Sequence, residues 1–504
     1  MGDGPVKPDS WQLCPAHQKN AQGLIVSAFP DLPVGEALLL ELPGAGGAWL
    51  GALMRAVPVT DAIEAKTPSV ALALTSAGLQ AMGLDEQSLA TFSPAFVEGM
   101  RQIDRQRRLG DEVPREVNGV LRQAISDTVV PEGPIWSGNA PDPYAIPGGP
   151  MATSTPTTVH VALFLYHKDQ PKLDELTALA EAALASHSVT IVRRIDLCLR
   201  EDHGRIREHF GFVDGISQPV PYGPTIVPDR RNPWHAVAAG DLLIGHLTAD
   251  GDPAPGPIVS DMRPGADALP QGTAPHGFGD LGLDGTYLVI RELRQDVRAF
   301  WESMNTAARN LDRGRDYDHD WLAARVVGRT LDGDPLAPKP NGIVAREKGQ
   351  PANEFGYRHD DPNGLGCPIG SHIRRANPRD GLAPNLGDAI AFRDAANNHR
   401  ILRRGRSFGP PFAEKPDAER GLLFMAINTD ITRQFEFIQQ TWVFNKSFAA
   451  LSGETDPLVG PKGPFTVPDE PVRARPEVET FVRLVGGDYF FLPSLAALRY
   501  LEQL

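Results

Sequence analysis

The stretch from Cys367 to Arg379, CPIGSHIRRANPR, sets one histidine among cations and ends on Pro378-Arg379. A neutral imidazole is the commonest metal ligand, and the charges of Arg374, Arg375 and Arg379 would welcome an anionic group beside His372. Taken alone, the segment reads equally well as an exposed basic turn. Two other segments carry complementary groups. Gly211-Phe212-Val213-Asp214-Gly215 presents a carboxylate in a turn flanked by glycines, where no side-chain bulk obstructs it. Arg400-Ile401-Leu402-Arg403-Arg404-Gly405 follows an apolar pair with a guanidinium doublet. Together these residues offer a metal ligand, a proton carrier and a stabiliser of developing negative charge.

In that order, the GxxDG turn, the CPxGSHIRRANPR segment and the ILRRG segment resemble the dye-decolourising peroxidase family of haem enzymes. The resemblance extends to Asn20-Ala21-Gln22-Gly23-Leu24-Ile25, to Gly421-Leu422-Leu423-Phe424 leading into Phe435 to Trp442, and to the closing Gly486 to Pro493. It spans nearly the whole chain and looks closest to the longer bacterial branch, because the segments between motifs are expanded.

The resemblance implies a haem b peroxidase that reduces hydrogen peroxide through a ferryl intermediate. Such an enzyme then oxidises small organic donors, dyes and phenolics, in one-electron steps. By resemblance His372 is the axial iron ligand and Asp214 the distal acid-base residue. Arg403 is the distal cation, with Arg404 its main competitor, and residues 383–398 loop out to lengthen the chain between His372 and Arg403. Arg379 is the candidate for pairing a haem propionate, with Asn377 and Arg375 as second choices. The second ring nitrogen of the axial histidine needs an acceptor, for which Glu436 is a candidate. Trp301, Trp442, Tyr317, Tyr489 and Tyr500 offer electron-relay positions, none of them singled out. A carboxylate as acid-base residue implies turnover that favours acid pH. The rival reading is a haem-binding or haem-delivery protein without turnover.

A chain of 504 residues with 50 Gly and 47 Pro implies two domains with long loop insertions. The net charge of -14, with no lysine-rich block, argues against a nucleic-acid partner. Cys14, Cys198 and Cys367 are too few for a disulfide framework and lack CxxC spacing. Residues 1–22 lack an apolar signal core, and no apolar run of about 18 residues would span a membrane. Cytoplasmic location is the expectation, and a homo-oligomer stays open.

These groups need elements to hold them. Residues 37–42, 70–74, 159–165 and 189–192 read as strands, with a helix whose apolar face is Leu173, Leu176, Leu179, Ala180, Ala183 and Leu184. Tyr287-Leu288-Val289-Ile290 precedes a stripe of Leu293, Val297, Phe300 and Met304. The strand from Gly421 to Ile427 precedes Ile431, Phe435, Ile438 and Trp442 in the same spacing, with Asn428 and Thr429 as caps. The expectation is an α+β protein of two ferredoxin-like domains, residues 1–210 and 211–504, with haem in the second. Residues 131–156, 251–285 and 328–366 read as long surface loops, the last two rimming a cofactor pocket.

Overall fold

The computed structural model describes residues 11–44, 46–63, 67–112, 115–117, 120–122, 126–138, 156–311, 318–337, 353–468 and 474–504. Four strands form the first half: β1 (Val34–Glu41), β2 (Ser69–Leu74), β3 (Val161–His167) and β4 (Thr190–Cys198). They lie side by side as β4-β1-β3-β2, all antiparallel. The second half uses β5 (Thr286–Gln295), β6 (Arg406–Phe408), β7 (Gly421–Asn428) and β8 (Val482–Leu492). Their order is β8-β5-β7-β6, again fourth, first, third, second. In both halves a helix follows the first strand and another follows the third. They are α1 (Ala48–Ala56) and α2 (Gln170–Ala185) in the first half, then α3 (Val297–Asn310) and a wide helix over Thr432–Glu436 and Ile438–Val443. This is the βαββαβ grammar of the ferredoxin-like fold, used twice.

The two sheets join at both edges. Cys198 and Leu197 of β4 pair with Ser407 and Phe408 of β6, and Leu74 of β2 pairs with Phe491 of β8, so the eight strands close on themselves. Closure protects the strand edges. Alternate residues then face two separate cores. Leu39, Ala73, Phe164, Ile290, Met425 and Phe490 fill the inside of the ring. Leu38, Leu72, Leu163, Val289, Tyr489 and Phe491 face outward under helices and loops. Burial on both faces explains why these strands read as continuous apolar runs. The expected boundary between residues 210 and 211 falls between β4 and β5, inside a turn described below.

Several expectations about helices change in detail. On α2, Leu173, Leu176, Ala180 and Leu184 are buried as the stripe requires, but Leu179 is exposed. Leu293 belongs to β5, so the stripe of α3 begins at Val297. The segment after β7 is π-helical: Glu436 N–H donates to Ile431 O and Phe444 N–H to Gln439 O, five residues back. Its first turn is capped by Asp430, whose carboxylate accepts from Arg433 N at 2.9 Å, rather than by Asn428 or Thr429. Such wide turns displace side chains and gather at functional sites. Parts of two expected loops, residues 139–155 and 338–352, lie outside the described residues, as does Tyr317.

The loop before β5 ties down the N-terminal segment. Asp284 Oδ1 accepts an N–H from His17 Nδ1 at 2.7 Å and one from His246 Nε2 at 2.8 Å, while Oδ2 accepts from Asn20 Nδ2 at 2.9 Å. Burial alone would raise the Asp284 carboxyl, but these donors bring it down to about 2. The same contact raises the His17 imidazole above its ordinary value, against the effect of burial. Two imidazoles and a carboxylate meet here, and each short contact is an N–H donated to that carboxylate, so the cluster satisfies itself.

Candidate active site

A cavity of about 330 Å³ opens where the wide helix of the second half leaves the sheet. That volume lies within the range of cofactor and small-molecule sites. Its floor is the outward face of the sheet, Leu293 of β5, Leu422 and Phe424 of β7 and Leu484 of β8. Its apolar wall includes Phe435, Ile438 and Val443 of the wide helix.

His372 opens the short helix α4 (His372–Ala376), begun by the Pro368–Gly370 turn with Ser371 at its N-cap, and lines this cavity. Its Nδ1 lies 2.9 Å from Asp456 Oδ2. Asp456 is fully buried, and its Oδ1 accepts from Leu458 N and Val459 N at 2.9 and 3.0 Å. Burial pushes this carboxyl up, yet His372, Arg375 and the backbone donor hold it below the usual carboxylate range. With Nδ1 committed to an ionised acceptor, Nε2 is the nitrogen left for a metal, and its donor strength rises.

Asp214 and Arg403 line the same cavity. The Asp214 turn is shaped by backbone pairing, with Asp214 N donating to Ile206 O and Val213 N to Leu331 O. Arg403 Nη2 donates to Ile216 O at 2.7 Å, and its Nη1 stands 3.7 Å from Asp214 Oδ1. Both side chains keep about a third of their surface accessible, 34% and 37%, so they remain open to a small reactant. Strand alternation separates Arg403 from its neighbour. Arg404 turns into the protein, where its Nε donates to Leu24 O and its Nη2 to Ile25 O at 2.8 and 2.6 Å.

Four more buried guanidiniums line the cavity; Arg291 is paired with Asp111, and the other three stand apart from it. Arg379, held in a left-handed backbone conformation with φ 51°, donates to Asn353 O and Phe355 O and stacks over the Phe355 ring. Arg329 donates to Gly333 O and Asn353 Oδ1. Arg400 donates to Ser217 O and Trp234 O. Their acceptors are neutral, and none of the three pairs with a carboxylate among the described residues. Burial, with Arg379 and Arg403 as neighbours, pushes Arg400 down to about 9 and Arg329 down to about 10. Burial likewise lowers Arg379. Asn377, which caps α4, also lines the cavity, and its buried Oδ1 has no partner among the described residues.

No family model matches the chain. Over 473 residues it is 30% identical to "Dye-decolorizing peroxidase msp1" of Mycetinis scorodonius, a match covering 88% of this chain and 82% of that protein. The chain belongs to the dye-decolourising peroxidase family. It is also 33% identical over 344 residues to "Multifunctional dye peroxidase DyP2" of an Amycolatopsis species, covering 63% and 66% of the two chains. The crystal structure of a DyP-type peroxidase from Anabaena superposes with a TM-score of 0.69 over 97% of this chain and 95% of that one. Sequence identity to it is 22%, so the likeness is one of fold.

In this peroxidase the cavity thus gathers His372, Asp214, Arg403, Arg379 and Asn377, but other sequence candidates lie elsewhere. Arg375 is a correction: it is fully buried away from the cavity, and its guanidinium donates to the carbonyls of Gly370, Trp442, Asn445 and Glu454. Three residues along a helix from His372, it is carried into the protein and closes the loop that holds Asp456. Glu436 is a second correction. It sits in a buried group with Arg105 and Tyr489, and Asp456 meets the imidazole instead. The other histidines close to the motifs along the chain are engaged elsewhere: His399 stacks on Phe437, and His359 pairs with Asp360 at the surface. Trp301, Trp442, Tyr489 and Tyr500 do not line the cavity. Sequence reasoning missed Asp456 and Arg329, which stand in no distinctive pattern. Arg400 immediately precedes the ILRRG segment, where the guanidinium doublet is the more conspicuous feature.

Proposed function

We propose that this peroxidase holds haem b in the cavity of its second half, with Nε2 of His372 as the iron ligand. The observation that carries the reading is a cavity with a buried acceptor behind one imidazole and three buried guanidiniums without anionic partners. A flat, largely apolar cofactor with two carboxylates fits that donor set, because its propionates would relieve the repulsion among Arg329, Arg379 and Arg400. When bound, haem supplies the electrons for peroxide reduction and the Lewis acid that holds the oxygen.

The protein's own contribution is proton movement and charge. With haem bound, Asp214 would take a proton from one oxygen of hydrogen peroxide and return it to the other, so that water could leave. Arg403 stabilises the negative charge that develops as the O–O bond opens, an effect worth about 2.7–4 kcal/mol for one preorganised donor. Asp456 keeps His372 in the tautomer that leaves Nε2 free. Dyes and phenolics are the expected donors, oxidised one electron at a time. The three cysteines are unpaired, which supports a reducing compartment, and we place the protein in the cytoplasm.

The test is an absorption spectrum of purified protein with and without added haem, followed by steady-state dye oxidation with hydrogen peroxide. The expected result is one haem per chain, a Soret band and peroxide-dependent turnover. Haem retention without turnover would leave only a haem-binding or haem-delivery protein. Failure to retain haem would remove the reading.

A further inference from the structure

Glu208 is a half-buried residue whose carboxyl lines the cavity, six residues before Asp214, and it has no cationic partner among the described residues. Its Oε2 accepts from Phe210 N at 2.8 Å and its Oε1 from Phe212 N at 3.0 Å. Its main chain closes the same turn, for Glu208 N donates to Phe212 O and Glu208 O accepts from Gly211 N. From β5, Gln295 Nε2 donates to Oε2 at 2.7 Å. One residue therefore meets the Phe210–Phe212 turn with both carboxylate oxygens and both backbone groups, and the chain leaving that turn runs through Val213 into Asp214.

We propose that Glu208 is a positioning residue for proton transfer, its carboxylate clasping the turn that aims Asp214 into the cavity. This inference rests on the reading of Asp214 given above and names the device that orients it. An ionised carboxylate offers two acceptors to the two amides. Once protonated, one of its oxygens becomes a donor and that grip weakens.

The surroundings make such a change accessible. Burial pushes Glu208 up to about 7, against the opposing pull of Phe210 N, Phe212 N and Gln295, with Asp214 adding repulsion. The other charged groups nearby are engaged. Arg200 donates to the Glu208 carbonyl and contacts His209, which burial and Arg200 push down to about 4. Arg207 donates to Gly211 O and Leu331 O and pairs with Asp332. Arg291, on the cavity wall, is paired with Asp111. The clasp is thus firm above neutrality and loosens as pH falls through about 7.

The experiment compares haem-loaded wild type, Glu208→Gln and Gln295→Met. It uses stopped-flow reaction with hydrogen peroxide across pH, haem content, thermal melts, and an infrared titration of protonated carboxyl groups. A glutamine offers one acceptor and turns an N–H toward the other amide, so Glu208→Gln should keep haem and slow the peroxide step by about 10- to 100-fold, as expected for misplacement by an ångström or less. It should also lose both the inflection near pH 7 and the matching infrared band. Gln295→Met removes a donor to the carboxylate, so its inflection should move to higher pH while the turn stays closed. An unchanged rate and pH profile in Glu208→Gln, or an inflection unmoved in Gln295→Met, would overturn the clasp. If Asp214→Asn also reacted like wild type, the assignment of Asp214 would fall, and the clasp with it.

Discussion

The two ferredoxin-like halves share one strand order and differ in what covers the outward face of the sheet. In the first half, α2 lays Leu173, Leu176, Ala180 and Leu184 into the same apolar cluster as Leu38, Leu40 and Leu163. In the second half the corresponding helix is wound wider, and Phe435, Ile438 and Val443 face a cavity across from Leu422 and Phe424. The chain between the first two strands differs as much. Residues 42–68 connect β1 to β2, whereas residues 296–405 connect β5 to β6 and carry His372, Arg379, Arg400 and Arg403. One topology thus serves as a filled core in one copy and, with a helix lifted and a connection lengthened, as a container in the other.

The contrast predicts that damage to the first half costs stability and damage to the second costs chemistry. The largest effect belongs to His372→Ala, which should abolish stable haem retention, read as the haem-to-protein ratio and the Soret band. Leu173→Ala should instead lower stability by about 2–5 kcal/mol in denaturant unfolding, with haem content per folded chain unchanged. A His372→Ala protein with an ordinary Soret band would break the comparison at its centre.

Next in size is the arginine doublet. Arg403→Leu should retain haem and slow its reaction with peroxide by about 10²–10³-fold in stopped-flow measurements. Arg404→Leu should leave that rate nearly intact and destabilise the fold by about 1–3 kcal/mol, because it strips a charged donor from the buried carbonyls of Leu24 and Ile25. The opposite pattern would exchange their roles.

Arg400→Leu should have effects of opposite sign on the two forms of the protein. It relieves repulsion in the apoprotein, so the thermal midpoint of that form should hold or rise, while haem affinity falls. In wild type the Arg400 guanidinium is held down to about 9. An anion bound beside it favours its charged form, so haem affinity should be full below that value and decline as pH rises through it. A titration of haem binding from pH 7 to 10 checks the direction.

The smallest effect is expected at the N-terminal knot. The lowered Asp284 contributes stability that is complete above its ordinary value of 3.8 and lost as pH falls through about 2. The raised His17 contributes stability that is complete below 6.5 and lost as pH rises through its folded value. Asp284→Asn should therefore cost most between about pH 4 and 6.5, on the order of 1–3 kcal/mol, and less outside that window. Melts of both proteins across pH would show it.

Much of the molecule was legible in advance because burial and chemistry leave marks of different kinds. Apolar runs such as Ala37 to Leu40 and Val161 to Leu165 announce strands, and the stripe of α2 announces a docked helix. His372 and Asp214 stood out because each sits in a segment dense with glycine or charge. The π-winding after β7 was illegible, since Ile431, Phe435, Ile438 and Trp442 satisfy an α-helical period equally well. Only the tertiary demand on that helix selects the wider turn.

The sequence by itself determined the repeated βαββαβ grammar, the family and the residue types available for the chemistry, because each depends on local pattern along the chain. The tertiary structure alone decided which charge does what. Arg374, Arg375 and Arg404 are chemically the same as Arg379 and Arg403, but strand alternation and helix rotation turn the first group onto backbone carbonyls and the second toward the cavity. Asp456 and Arg329 gain their places from contacts, to His372 and Asn353, that appear only when distant segments meet. A side chain's charge is written in the sequence, whereas its partner and its exposure are set by the fold.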